Sequence, residues 1–157
     1  MEYIEIGNDD YEAFHHLACT YYREGEDSDT PQDEIDRFIG YMFEMVTSRT
    51  IKGCFAKSGK DYIGFALWTI DTDNFEYSEM PGFGTIMEIG IIPSCRGRGL
   101  GKELVAHIEK CLHEKGIKQC YVCAYGPAQK FWTRCGYVEN GMTASVELPI
   151  MVKDLVV

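Results

Sequence analysis

Apolar and polar positions along the chain switch between two periods, and the switches mark the elements. Residues 3–6 are short and β-prone and read as a strand. Asn8, Asp9 and Asp10 then offer helix N-cap chemistry. Tyr11, Phe14, Leu17, Ala18, Tyr21 and Tyr22 follow at helical spacing. Residues 23–29 are a polar, acidic connection. Thr30-Pro31 opens a second helix, with Thr as N-cap, Pro at the first helical position and Asp33 in the first turn. Ile35, Phe38, Ile39, Met42, Phe43 and Val46 form its apolar stripe.

Period-two segments come next. Residues 51–57 and 62–70 read as strands of a hairpin turning at Ser58-Gly59-Lys60-Asp61. Residues 71–84 are a polar loop, and 85–92 a strand closed by Pro93. A glycine-rich segment leads into a helix whose face carries Leu100, Leu104, Val105, Ile108 and Leu112, stopped by Gly116. Residues 119–124 read as a strand, 127–134 as a short helix, and 137–139 and 145–152 as closing strands. The order β-α-α-β-β-β-α-β-α-β-β predicts a mixed α/β layer fold of about seven strands and about four helices. No linker, repeat or low-complexity segment interrupts it, so a single domain over residues 1–157 is expected.

Composition adds one asymmetry. The chain has 15 Lys+Arg and 25 Asp+Glu, a formal charge of −10. Residues 1–50 hold 13 acidic and 3 basic residues, which leaves 12 of each in residues 51–157. The whole imbalance lies in the first third. It is either a solvated acidic surface or a side that faces a cationic ligand. An acidic chain is disfavoured as a nucleic-acid binder, because phosphates repel it.

The seven cysteines are Cys19, Cys54, Cys95, Cys111, Cys120, Cys123 and Cys135. Residues 1–6 carry two Glu and no apolar run of a secretory leader. No stretch approaches the roughly 18 apolar residues of a membrane span. Free thiols in a reducing cytoplasm are therefore expected. Cys120-Tyr-Val-Cys123 lies in an apparent strand, where residues three apart face opposite ways. With no further Cys pair or nearby His, no metal site is expected there.

The informative segment runs from Ile89 to Lys102. A strand enters a glycine turn, Arg96-Gly97-Arg98-Gly99-Leu100-Gly101, and the turn opens a helix. Free N–H groups at a helix start, close approach over glycine, and the charges of Arg96, Arg98 and Lys102 suit a phosphate or pyrophosphate. A dinucleotide G-x-G-x-x-G from Gly97 fails at Lys102. A nucleotide-triphosphate P-loop fails at Arg96 and Glu103.

What fits is R-x-x-G-x-G at Arg96, Gly99 and Gly101, preceded by Ile91-x-Pro93 and followed by Ala128-x-x-Phe131-Trp132-x-x-x-Gly136-Tyr137. These segments, with the element order, resemble the GNAT acetyltransferase superfamily along essentially the whole chain. The resemblance implies the GNAT acyl-CoA N-acyltransferase fold and acetyl-CoA as cofactor. It implies a pantetheine arm along Ile89, Gly90 and Ile91. The pyrophosphate falls on Arg96, Gly97, Arg98, Gly99, Leu100, Gly101 and Lys102, and Trp132 lies beside the cofactor. The implied reaction is direct attack of an amine on the thioester, with a strand N–H polarising the carbonyl.

Energetics rank the helpers. A lysine-like amine of pKa ~10.4 costs about 4.6 kcal/mol to neutralise at pH 7, whereas a thiolate of ~8.5 costs about 2. A base matters more than an acid. The usual acid Tyr is replaced by Trp132. Tyr125, at the motif's Asn position, can substitute, with Cys120 and Cys123 as weaker alternatives. Glu88 is the one carboxylate on the fourth strand and the expected base. In relatives the base stands 9 or 11 residues before the loop's first Arg, at Met87 or Thr85 here. Glu88 is 8 before it, so ideal alternation turns it to the other face.

The connection between the first two helices borders the acceptor pocket in relatives, which implies Tyr22, Glu24 and Glu26 as substrate-binding residues. Asp27 belongs to the same acidic loop. The leading expectation is acetyl transfer to a primary amine of a small molecule or peptide. The alternative is an acyl-CoA-binding sensor or regulatory module with little catalysis. No nucleic-acid or membrane partner is expected. Many relatives are dimers, which leaves a homodimer open.

Overall fold

In the computed structural model, residues 1–25 and 27–156 are described. The strands are β1 (Glu2–Glu5), β2 (Lys52–Ser58), β3 (Asp61–Ile70), β4 (Gly84–Ile91), β5 (Gln119–Cys123), β6 (Val138–Thr143) and β7 (Pro149–Asp154). The helices are α1 (Tyr11–Arg23), α2 (Gln32–Thr47), α3 (Leu100–Glu114) and α4 (Gly126–Arg134). The strands form one mixed seven-stranded sheet in the order β1-β2-β3-β4-β5-β7-β6. The chain packs as two compact units, Met1–Leu67 with Glu88–Leu104 and Trp68–Met87 with Val105–Val157.

In the first unit the helical stripes do what their spacing requires. Phe14, Leu17, Ala18 and Tyr22 of α1 are buried, as are Ile35, Ile39, Met42, Met45 and Val46 of α2. Phe14 meets Phe65 of β3 edge to face, with ring centroids 5.4 Å apart. The helices are also joined by polar groups. His15 Nε2 lies 2.8 Å from Asp36 Oδ1, a partner that the helical spacing of α1 alone does not reveal. Arg23 donates to the Gln32 side chain and to the Ser28 carbonyl. These bonds, with Thr30 N–H donating to the Asp27 carbonyl, hold the α1–α2 connection.

In the second unit Ile108 and Leu112 of α3 are buried with Cys120, Val122, Tyr137 and Ile150. The parallel ladder of β4 and β5 runs through Gly84↔Cys120 and Thr85↔Tyr121, at the start of β4. Asp71, buried after β3, accepts from Tyr121 Oη at 2.7 Å and from the Glu79 and Met80 amides at 2.9 and 2.8 Å. Those bonds tie the loop after β3 to its own unit. Cys120 and Cys123 are free, and only Cys123 joins the Tyr121–Ala144–Ile150 cluster. Burial pushes their thiols up to about 12 and about 11 respectively.

Local corrections have local causes. The α2 N-cap is Pro31, one residue later than the Thr30 expectation, and neither α1 nor α2 gains a side-chain cap. Asp10 instead accepts from the Gly7 amide at 2.7 Å. Residues 145–148 alternate like a strand, yet they form the turn between β6 and β7. Glu147 takes φ 64° there and donates its N–H to the Ala144 carbonyl.

Candidate active site

The site in the first unit starts from a small residue on a strand. Gly90 has no side chain, and the Tyr21 ring fills the space. A Cβ on Gly90 would lie 2.8–3.0 Å from three atoms of that ring. Gly90 thus lets the end of α1 sit on β4. Glu88 is two residues earlier and shares that face. Tyr22, whose hydroxyl also lies 4.0 Å from Met42 Sδ, and Asp27 of the α1–α2 connection both act on the Glu88 carboxyl. The alternation that turns Glu88 away from the usual base position therefore turns it toward α1.

The electrostatics of Glu88 follow from this packing. Enclosure by protein is the largest effect and disfavours the charged form. The like charge of Asp27 adds to it, and the Tyr22 hydrogen bond opposes both. The carboxyl is pushed up to about 7. Tyr22 is itself 7% exposed, with its phenol driven far above the usual range by burial. Little of Tyr22 is therefore open to solvent, and its influence falls on Glu88. Its ring is edge-on to Tyr21 and to Phe38, with centroids 5.0 and 5.7 Å away. Phe38, 45% exposed, and Tyr21 are the aromatic groups at this site that helical spacing alone assigns to packing. Glu24 is exposed at the α1 C-cap, and Glu26 lies outside the described residues.

The backbone of β4 is divided between its edges. Ile92 N–H donates to the Ile63 carbonyl of β3, and the Gly90 carbonyl also points at β3, against Gly64. Alternation turns the main-chain groups of Ile89 and Ile91 to the opposite edge.

After the single turn Pro93–Cys95 comes the glycine loop. Gly97 and Gly99 take φ 83° and 76°, the left-handed region that a side chain strains, and a Cβ on either would meet no atom within 4 Å. Glu103 N–H donates to the Gly99 carbonyl at 3.1 Å, so Gly99 caps α3. The amides of Leu100, Gly101 and Lys102 in the first turn then have no acceptor within the helix. Arg98 and Lys102 are exposed beside them. Open backbone, unpaired donors and free cations are what a pyrophosphate needs. Arg96 makes contacts that its charge alone does not reveal. Its Nε–H donates to the Ile91 carbonyl at 2.9 Å, and its guanidinium carbon lies 5.5 Å from the Tyr21 ring centroid.

Tyr125 and Trp132 belong to the second unit. Tyr125 is the extended N-cap of α4 and 44% exposed. Trp132 is 6% exposed, with its ring 5.2 Å from Tyr137 edge to face. In this structure Trp132 packs within the second unit.

The family model described as the acetyltransferase (GNAT) family matches residues 11–137. No curated protein matches the chain. Among solved structures, the chain is similar to the PaiA N-acetyltransferase from Thermoplasma acidophilum in complex with coenzyme A. That match has a TM-score of 0.73 and 17% identity over 98% of each chain. It is similar to Tetrahymena GCN5, with a TM-score of 0.70 and 12% identity over 99% of this chain and 97% of that one. An aminoglycoside 6'-N-acetyltransferase complexed with coenzyme A gives a TM-score of 0.69 and 12% identity, covering 100% and 98%. At these identities the likeness is one of fold.

Proposed function

Because the chain belongs to the acetyltransferase (GNAT) family, whose acyl donor is acetyl-CoA, we propose that its single domain moves the acetyl group directly to a primary amine on a cationic small molecule or peptide, with Glu88 as the general base. The observation that carries this reading is the placement of Glu88. It lies on β4, hydrogen-bonded by Tyr22 and next to Asp27, with a carboxyl raised to about 7.

Acetyl-CoA brings the acetyl group as a thioester with a thiol leaving group. Residues 97–102 suit its pyrophosphate: the glycine backbone is open, the first turn of α3 has unpaired N–H groups, and Arg98 and Lys102 supply charge. The N–H groups of Ile89 and Ile91, turned away from β3, are the donors for the pantetheine and for the thioester carbonyl.

An amine arrives protonated, and its free form is scarce at pH 7. A base near pKa 7 is half ionised there and still strong enough to take the proton, through a water where the reach is long. Burial and Asp27 give Glu88 that strength, and Tyr22 fixes its direction. Losing the thiolate asks less, about 2 kcal/mol at pH 7. Exposed Tyr125 is the proposed donor for it. Asp27 and the excess of acidic residues in the first third support a cationic acceptor. The seven free cysteines support a reducing, cytoplasmic location.

The test is thiol release from acetyl-CoA with a panel of a monoamine, a diamine, an aminoglycoside, a lysine-containing peptide and an anionic amino acid. Release with the cationic members, lowered at least tenfold by Tyr125→Phe, is the expected result. Tight CoA binding without amine-dependent release from any member rules the reading out.

A further inference from the structure

We propose that Arg96 is a positioning residue for the acceptor side, its side chain holding Tyr21 and the end of α1 against β4 rather than gripping a cofactor phosphate. The proposal rests on the reading of residues 97–102 as the pyrophosphate loop and changes the part that Arg96 plays in it.

Two contacts orient the guanidinium, and it also lies near Gly25. Its Nε–H is given to the Ile91 carbonyl at 2.9 Å. Its Cζ sits 5.5 Å from the centre of the Tyr21 ring, within cation–π range. Its Nη2 lies over the start of the α1–α2 connection, where a Cβ on Gly25 would be 3.7 Å from it and 2.7 Å from the Tyr21 carbonyl. One glycine makes room for this arrangement: Gly90, beneath the Tyr21 ring. Arg98 and Lys102 are exposed next to the start of α3, as Arg96 is, but Arg96 also makes the two contacts above.

A planar guanidinium can donate in its plane to Ile91 while its face meets an aromatic ring. A lysine ammonium has the charge without that geometry. Tyr21 is followed by Tyr22, whose hydroxyl bears on Glu88. Arg96 therefore links the start of the loop to the pair that sets the base. A change at Arg96 moves the last turn of α1 and reaches Glu88 through Tyr22.

The experiment pairs hydrogen–deuterium exchange with calorimetric titration of coenzyme A, both on the full chain. The reporters are the Glu24 and Gly25 amides, which donate to the Thr20 and Tyr22 carbonyls at the end of α1. In Arg96→Ala they should exchange about tenfold faster or more, with CoA affinity within about threefold of wild type. Arg96→Lys keeps the charge without the planar fork, so it should restore exchange only in part, to a rate between those of Arg96→Ala and wild type. Tyr21→Leu should also accelerate exchange, and the double variant should add less than the sum of the two, because both remove the Arg96–Tyr21 contact. Should the alanine variant fail to fold, Arg96→Gln keeps a donor for Ile91 without the cation and should show the same acceleration.

Unchanged exchange in Arg96→Ala overturns the proposal. So does a loss of CoA affinity as large as that of Arg98→Ala, which would make Arg96 a phosphate ligand. A wild-type chain that binds no CoA contradicts the loop reading instead, and the exchange result alone then decides the role of Arg96.

Discussion

A half-buried carboxylic acid that feels the charge of a second carboxylate holds its proton longer than one in water. Glu88 is in that position, and its stability signature has a definite sign. Its carboxyl rises from an ordinary 4.5 to about 7 in the folded chain. Between those values the folded state keeps a proton that the unfolded state has lost. Folding is therefore favoured at the acid end of the window and weakens as pH rises through it. Wild type should lose melting temperature relative to Glu88→Gln between pH 5 and pH 8. Thermal melts of both at each pH check this, and parallel curves would mean that Glu88 ionises as freely as in solvent. Arg96 shows the converse at this scale. A charge that belongs to a phosphate motif by sequence is turned onto Tyr21 and Ile91 by the fold.

Among the elements, the strand–loop–helix from β4 to α3 is the proposed cofactor side. Gly99 at φ 76° cannot become Val without strain, and Arg98 is free to meet a phosphate. Gly99→Val and Arg98→Ala should each weaken CoA binding about tenfold or more, measured by calorimetry. Affinity unchanged in both would remove the loop from the site. This element was legible in the sequence because its glycines, its cations and the following apolar stripe lie in one continuous segment. The helices and most strands were legible for the same reason, since period and breaker residues are local. The turn at 145–148 was not, because alternation does not report the positive φ of Glu147. The acceptor side was legible only in part. Spacing puts Tyr21, Tyr22 and Phe38 on helices, but a one-dimensional pattern cannot show that Tyr21 sits on Gly90 or that Tyr22 meets Glu88. The side that Glu88 faces depended on which helix covers that face of β4, which is a tertiary fact.

Across the whole molecule, the charge asymmetry is the feature on which the proposed preference for a cationic acceptor rests. The net −10 is confined to residues 1–50, and Asp27 of that segment acts directly on Glu88. Attraction between an acidic side and a cationic acceptor is screened by salt. The KM for a cationic amine should therefore rise severalfold between about 0.01 and 0.5 M salt. A neutral amine's KM should hardly move, and equal salt responses for both would detach the charge from acceptor binding. The central claim, that Glu88 deprotonates the amine, is tested most directly by kcat/KM for amine-dependent thiol release across pH 5.5–9 in wild type and Glu88→Gln. Wild type should gain activity along a limb centred near the carboxyl's value of about 7. Glu88→Gln should lose about 100-fold and the limb with it. A Glu88→Gln variant that keeps both the rate and the limb would contradict the account.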